Sequence, residues 1–171
     1  LGLPFIEIIF LFLIITVYNY IRQEKEKRKV KNAFSLYLSP DVISNLLTDP
    51  ENLKLGGQRK KLTMFFSDVR NFTNISEGLS PEKLCIFMND YFTPMTDIIL
   101  RSQGVLDKYI GDAIMAFWGA PIPLENQADI AVEASVEMLE VLKKIQHDFS
   151  LRGFPDCDIG IGLNTGSVSV G

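Results

Sequence analysis

Two aspartates carry the clearest chemical signal in this sequence. Asp68 ends the apolar run LTMFFSDV, and Asp112 lies in the pair Gly111-Asp112 between two further apolar runs. Carboxylates that are held together repel each other and raise each other's pKa unless a cation lies between them. With no histidine or cysteine nearby, oxygen ligands favour a hard ion, Mg²⁺ or Mn²⁺, over zinc. If the fold brings the two aspartates together, the sequence predicts a site for such ions and for phosphate, in which two ions can clamp a phosphoryl displacement.

Each signal also has a structural explanation. Asp68 can cap a strand end, and Asp112 can be a simple turn residue. Lys108, inside an apolar run, is either a solubility device on an edge strand or a donor to a ligand. The polar turn at residues 69–74 is only a weak sign of a phosphate-binding loop. The glycines of GIGLNTGSVSVG lack the lysine and the serine or threonine of a P-loop, so they favour strand and hairpin positions.

The elements that must position these residues follow from periodicity and from turn residues. Apolar runs predict strands, and apolar residues at helical spacing predict two long helices. Gly111-Asp112 predicts a two-residue hairpin. In chain order the predictions are a strand at 62–69, a helix from Ser80 to before Gly104, strands at 105–110 and 113–118, a helix at 125–149, and a strand at 158–163 that turns at 164–166 into a fifth.

This order predicts an α+β fold of the ferredoxin-like βαββαβ type. The usual sheet order of that fold places the first strand beside the third, antiparallel to it. Asp68 at the carboxyl end of the first strand should then lie next to Asp112 at the start of the third. The fold therefore predicts that the two aspartates converge at one edge of the sheet.

The first 58 residues have a different character. Residues 3–21 are almost continuously apolar and approach the ~20 residues that a membrane-spanning helix needs. Six lysines and arginines follow within residues 22–31, so the positive-inside rule predicts a transmembrane helix at 1–21 with everything after it cytoplasmic, at an inner or plasma membrane. A buried core helix and a simple solvated charge run are the alternatives. Residues 22–58 are predicted to be a juxtamembrane coupling helix and linker, and residues 59–171 a globular domain.

Composition limits the remaining possibilities. The chain has 171 residues, of which 47% are hydrophobic and 22% are charged, and its net charge is -4. These values argue against disorder and against a nucleic-acid binder driven by positive charge. Cys85 and Cys157 lack paired spacing, which argues against a disulfide framework or a zinc site. His147, the single histidine, lies on the polar side of a helical pattern, so histidine catalysis is not expected. The leucine start and the strand-like end lead us to interpret the chain as an internal segment of a longer protein.

Three motifs resemble those of the class III nucleotidyl cyclases, particularly bacterial membrane-anchored adenylate cyclases. They occur in order, with the expected elements between them: FFSDVRNFT at 65–73, LDKYIGDAIMAFWGAP at 106–121 and GIGLNTGSVSVG at 160–171. The segments SLYLSPDVISNLL and LKLGG, at 35–47 and 53–57, resemble the connection to the catalytic domain in cyclases with an extracellular CHASE2 sensor. That sensor is not in this chain.

The resemblance implies a metal site. Asp68 and Asp112 match the two aspartates that bind two Mg²⁺ or Mn²⁺ ions, and the carbonyl of Val69 matches the backbone group that also binds an ion. Asp68 and Asp112 are therefore the implied catalytic residues.

The resemblance also implies a substrate site. Phe72 and Thr73 match residues whose backbone amides hold the triphosphate, and Gly111 is implied to contact the substrate. Asn71 stands where many relatives have glycine. Lys108 matches the lysine that selects adenine, in agreement with the chemistry of the bases, because N1 of adenine accepts a hydrogen bond and N1 of guanine donates one. A guanylyl cyclase is expected to carry glutamate at this position.

The implied reaction converts ATP to 3',5'-cyclic AMP and pyrophosphate in a homodimer with two shared sites. A transition-state asparagine and arginine, and a second base-reading residue, are expected beyond Gly171, so the segment alone should be an incomplete catalytic domain. The alternatives are a degenerate cyclase-like module that binds nucleotide or only dimerises, and a guanylyl cyclase. A diguanylate cyclase is disfavoured because the hairpin YIGDAI lacks a GGDEF-like turn.

Overall fold

A computed structural model of the chain describes residues 3–34, Ile43 and residues 58–170. The chain divides into two compact units, residues 1–36 and 37–171. In the first unit, one helix, α1, spans Leu3–Phe34. The predicted coupling helix beyond Phe34 and the predicted linker before residue 58 lie outside the described residues, apart from Ile43, which is helical and buried.

The structure does not support the predicted transmembrane helix at residues 1–21. In the described part of the chain, none of the helices combines the length and the apolar character that crossing a membrane requires.

The second unit contains the predicted series of strands and helices, with one short additional helix. Its elements, in chain order, are β1 Gln58–Val69, α2 Phe72–Gly78, α3 Pro81–Arg101, β2 Val105–Ile110, β3 Ala113–Trp118, α4 Gln127–Arg152 and β4 Ile159–Val170.

The four strands form one antiparallel sheet in the order β2-β3-β1-β4. The first strand therefore lies beside the third, as the ferredoxin-like prediction requires, and the α+β fold class is confirmed. Strand β1 is central and pairs with both β3 and β4, so residues near its carboxyl end are held from both sides.

Helices α3 and α4 cover one face of this sheet. Residues of β1 alternate between the two faces, so Phe65 is completely buried in the core whereas Phe66 is 45% exposed on the other side. In the core, Phe65 meets Trp118 edge to face with ring centroids 6.1 Å apart, and Phe87 stacks on Phe149 at 4.6 Å. We refer to the face that carries Phe66 as the open face.

The predicted turn at residues 164–166 and the fifth strand were wrong. Strand β4 runs without interruption from Ile159 to Val170. Strand β1 begins at Gln58, earlier than predicted, and its first residues pair with the end of β4, with Leu62 opposite Gly166 and Gln58 opposite Val170. Because the neighbouring strand supplies hydrogen-bond partners along this whole length, the Asn-Thr-Gly sequence remains extended.

Candidate active site

The two aspartates meet at the sheet edge, as predicted. Ser67 of β1 pairs with Ile114 of β3, which places Asp68 beside the start of β3 and the turn that carries Asp112. The backbone N–H of Val69 donates a hydrogen bond to Oδ2 of Asp112 at 3.1 Å. The hairpin turn is therefore tied directly to the end of β1.

Asp68 and Asp112 are close enough to interact electrostatically. A side-chain hydrogen bond with Asp112 is the largest contribution that raises the pKa of Asp68, followed by burial and by the negative charge of Asp112, while the positive charge of Arg70 lowers it. Asp68 therefore retains its proton more readily than an isolated aspartate does. This is the behaviour expected of two carboxylates arranged to share a cation.

The two carboxylates at this edge are suited to an ion of the Mg²⁺ type, which needs few protein ligands, and not to a metal that is enclosed by protein ligands alone. Within residues 11–34 and 58–170, no group of three or more histidine, cysteine, aspartate or glutamate side chains is placed to hold a metal. Mg²⁺ is commonly bound by one or two carboxylates while water and substrate phosphates complete its shell. Asp68 and Asp112 provide that number of carboxylates; the predicted role of the Val69 carbonyl stays a prediction.

In the loop after Asp68, Asn71 has a left-handed backbone conformation. Many proteins of the family that the motifs resemble are expected to have glycine at this position. Asn71 has φ 59° and ψ 28° and precedes helix α2. Glycine adopts this conformation freely, and asparagine tolerates it better than most residues. Oδ1 of Asn71 also accepts a hydrogen bond of 2.5 Å from the Asn74 side chain. The loop can therefore form with asparagine, while the implied triphosphate contacts of Phe72 and Thr73, which open α2, stay predictions.

The hairpin turn requires glycine for its backbone conformation. Gly111 has φ 64°, and a Cβ added there would meet nothing within 4 Å. Its neighbours Ile110 and Ala113 are paired across the turn. The predicted two-residue hairpin is therefore confirmed, and the glycine permits the turn that presents Asp112. Its implied contact with the substrate stays a prediction.

Lys108 lies on the open face, two strands away from β1. It pairs with Met115, and Met115 pairs with Phe66, so these three residues form a row across the sheet. A register shift between Leu106 and Lys108 leaves Asp107 as the extra residue, and Nζ of Lys108 lies 3.6 Å from its carboxylate. Among the described residues, Lys108 forms no ion pair with Asp68 or Asp112. The structure thus places the aspartates together and Lys108 apart from them on the same face.

A recess of about 310 Å³ adjoins Asp68 on the side away from Asp112. It is lined by residues of β1, β4 and the loop after β1: Phe66, Ser67, Asp68, Arg70, Gly160, Ile161 and Gly162. Gly160 and Gly162 were expected only as strand or hairpin glycines, and Arg70 only as part of the polar turn at residues 69–74. Arg70 continues the two-residue spacing of Phe66 and Asp68, and this spacing was the available signal.

A polar contact beneath Asp68, between residues far apart in the chain, was not predicted from the sequence. Oγ of Ser67 lies 3.1 Å from Oη of Tyr91 on α3, inside the core. Burial raises the pKa of Tyr91 to about 12, so its hydroxyl stays protonated. This hydrogen bond anchors β1 to the helix layer one residue before Asp68.

The fold and this paired-aspartate edge define a nucleotidyl cyclase domain, and comparison with known proteins agrees. Residues 57–171 match the family model for the adenylate and guanylate cyclase catalytic domain. The chain belongs to this family.

Individual relatives include cyclases of both base specificities. The chain is 33% identical over 150 residues to an adenylate cyclase of Anabaena cylindrica, a match that covers 85% of the chain and 28% of that protein. The guanylyl cyclase Cya2 has 39% identity and a TM-score of 0.66, over 68% of this chain and 59% of that one. The adenylyl cyclase CyaB of P. aeruginosa has 38% identity and the same TM-score, over 68% and 61%. The chain thus spans about a quarter of the Anabaena enzyme's length.

Proposed function

We propose that the protein containing this chain is an adenylate cyclase that converts ATP to 3',5'-cyclic AMP and pyrophosphate. The main observation in support of this proposal is that Asp68 and Asp112 converge at the sheet edge, beside an open recess. Family membership supports a nucleotidyl cyclase, and the Asp68–Asp112 pair, with both carboxylates retained, favours an active enzyme over a degenerate module.

In the proposed reaction the ribose 3'-hydroxyl attacks the α-phosphorus of the same ATP molecule, and pyrophosphate leaves. Asp68 and Asp112 would hold Mg²⁺ or Mn²⁺, which supplies positive charge to the hydroxyl and to the phosphates. The N–H of Val69 holds the carboxylate of Asp112 at 3.1 Å, and the Ser67–Tyr91 hydrogen bond fixes the strand before Asp68. The protein thereby contributes positioning and preorganised charge, which are the main sources of catalysis in phosphoryl transfer.

Adenine rather than guanine is proposed as the base because of Lys108. Relatives of both specificities are about equally similar, with 39% identity for Cya2 and 38% for CyaB, so overall similarity does not distinguish the bases. An ammonium can donate to adenine N1 but not to the protonated N1 of guanine. Guanylyl cyclase activity is the second candidate function, favoured by the similarity to Cya2.

Lys108→Glu in the full-length protein tests this assignment of the base. We expect the ratio of kcat/KM for ATP to that for GTP to fall roughly tenfold, since one reversed buried hydrogen bond costs about 1–3 kcal/mol. Asp107→Asn is the matched control, because it removes the ion-pair partner of Lys108 and retains the ammonium. An unchanged ratio in Lys108→Glu would show that Lys108 does not contact the base.

We further propose a homodimer with two composite sites. Lys108 lies two strands away from the aspartates and pairs with Asp107 rather than with them. A second copy that packs against the open face would supply its own lysine to the site of the first, and two-fold symmetry would make both sites equivalent. Exposed apolar side chains on this face, Phe66 at 45% and Ile110 at 52%, favour such a contact.

Co-expression of two inactive full-length variants tests the shared site. If Lys108→Ala and Asp112→Asn chains pair at random, about half of the dimers are mixed, and each mixed dimer has one intact site. Roughly a quarter of wild-type cyclic AMP formation should therefore return. No recovery, with mixed dimers shown by pull-down of two tags, would contradict the shared-site arrangement.

The basic experiment is incubation of the purified full-length protein with ATP or GTP and Mg²⁺ or Mn²⁺, followed by chromatography of the products. Cyclic AMP and pyrophosphate in equal amounts are expected. Binding of ATP without either cyclic nucleotide would favour the degenerate module. Membrane lipid as a partner and the cytoplasmic location of the domain rest on the apolar and basic residues near the start of the chain, and they stay predictions.

A further inference from the structure

Arg70 lines the same recess as Asp68. Its environment differs from that of the two arginines in this unit that form ion pairs, Arg101 and Arg152. Its backbone N–H donates to the carbonyl of Asp158 at 2.8 Å, which fixes the start of the loop after β1. Its guanidinium lies over Gly160, the residue opposite Asp68 in the β1–β4 pairing. A Cβ on Gly160 would lie 3.1 Å from Nη2 and 3.3 Å from Cζ of Arg70. The absence of a side chain at position 160 therefore creates the space for the guanidinium.

The guanidinium of Arg70 has no carboxylate partner within the described residues. Arg101 pairs with Glu137 at 2.9 Å, and Arg152 pairs with Asp90 and Asp148 at 2.7 and 2.6 Å. Arg70 is exposed and lines the 310 Å³ recess, and its described charge interaction is the one that lowers the pKa of Asp68. Its N–H donors therefore remain available to a ligand.

The ligand that suits this position is an anion with several oxygens that also binds metal ions. The recess is lined by the carboxylate of Asp68 and by the guanidinium of Arg70, while Asp112 lies on the other side of Asp68. A phosphate group held by a cation at Asp68 would therefore have the guanidinium in the same recess as a second binding group. Guanidinium binds phosphate with two parallel hydrogen bonds, and such charged bonds are stronger than neutral ones.

We propose that Arg70 is a substrate-binding residue that contacts a phosphate of the nucleoside triphosphate and of the pyrophosphate product, and that Gly160 keeps the guanidinium in place. This inference rests on the proposed function and assigns to that site a residue and a contact that the motif resemblance did not supply. The second copy in the proposed dimer could instead offer a carboxylate to Arg70, and the test separates that outcome.

The test compares Arg70→Ala and Arg70→Lys with Arg101→Ala in the full-length protein. Arg101→Ala is the matched control because it removes the same charge from an exposed position on the distant end of α3. For Arg70→Ala we expect KM for ATP and the inhibition constant for pyrophosphate to rise about tenfold or more, because a lost charged hydrogen bond has this magnitude. Arg70→Lys should recover part of the loss. Values within twofold of wild type in Arg70→Ala would overturn the proposal.

A binding measurement without turnover separates this inference from the proposed function. Inorganic tripolyphosphate with Mg²⁺ is titrated into each variant by calorimetry. We expect its dissociation constant to rise about tenfold in Arg70→Ala and to stay unchanged in Arg101→Ala, even if the wild type forms no cyclic nucleotide. Unchanged tripolyphosphate binding together with a weakened dimer would assign Arg70 to the subunit contact and overturn the proposal.

The role of Gly160 is tested by a double-mutant cycle. Gly160→Ala should weaken tripolyphosphate binding by itself, because the new methyl group displaces the guanidinium, but should have little further effect in Arg70→Ala. Gly162→Ala is the comparison, since a Cβ there meets nothing within 4 Å, and its effect should add to that of Arg70→Ala. If the effect of Gly160→Ala also simply adds to that of Arg70→Ala, as is expected for Gly162→Ala, the proposed contact between Gly160 and Arg70 is contradicted.

Discussion

The two faces of strand β1 differ in what their residues do. On the helix-covered face, Phe65 and Ser67 are buried at 0% and 2% exposure. On the open face, Phe66 and Asp68 are exposed, and Asp68 faces a like charge from Asp112. Residues of the same strand, separated by single positions, therefore divide into a set that stabilises the fold and a set that is available for chemistry. Alternation of side chains along one central strand is therefore enough to place a charged site on a well-packed layer.

The largest expected effect is on the open face. Asp112→Asn should reduce kcat of the full-length enzyme about a thousandfold, equivalent to about 4 kcal/mol of transition-state stabilisation. The asparagine oxygen can still accept the hydrogen bond from Val69, and one negative charge is removed, so the thermal midpoint should stay equal or rise. Cyclase assays and calorimetry on the same sample check both parts. Activity within tenfold of wild type would contradict the metal-binding role.

A pair of matched substitutions tests the difference between the faces directly. Phe65→Ala should lower the free energy of unfolding by about 3–5 kcal/mol, because it leaves a cavity beside Trp118. Phe66→Ala, one residue further along, should cost about 1 kcal/mol or less, since its ring is already half exposed. Urea denaturation measures both. The comparison is made at a protein concentration at which the chain is monomeric, and equal losses there would contradict the difference between the two faces.

A smaller effect is expected at the loop that follows the strand. Asn71→Ala should cost about 1 kcal/mol, because alanine disfavours the left-handed conformation at φ 59°. Asn71→Gly should change stability by about 0.5 kcal/mol or less, since glycine adopts this φ without strain while losing the hydrogen bond to Asn74. Denaturant midpoints at a constant slope provide the measurement. A larger loss for glycine than for alanine would contradict this explanation.

The smallest effect is the pH dependence that the aspartate pair gives to stability. The pKa of Asp68 is raised in the folded state above its ordinary value of 3.8, so the folded protein binds its proton more tightly. With a chelator present, stability should therefore fall as pH rises through the raised pKa, whereas below 3.8 this loss is absent. Asp112→Asn should remove this component. A wild-type curve that runs parallel to the mutant curve in urea titrations would exclude it.

Much of this architecture was predictable because it depends on local patterns. The hairpin at Gly111-Asp112 and the order of strands and helices follow from turn chemistry and periodicity, and the ferredoxin-like order then placed the aspartates together. The length of β4 was mispredicted because a strand's extent depends on its partner. The N-terminal residues of β1 supply that partner, and nothing within the Asn164-Thr165-Gly166 sequence indicates it.

The residue types and their order are readable from the sequence: Asp68 and Arg70 near the end of β1, Asp112 in the hairpin turn and Lys108 within β2, with no histidine or cysteine close to them in the chain to compete for a hard metal ion. Their neighbours in space depend on the tertiary structure. The pairing of β1 with β4 places Gly160 under Arg70. After the register shift at Asp107, Lys108 lies on the open face, apart from the aspartates. These contacts join positions that are distant in the chain, and their geometry depends on strand register, which is set by the packing of the whole sheet against its helices.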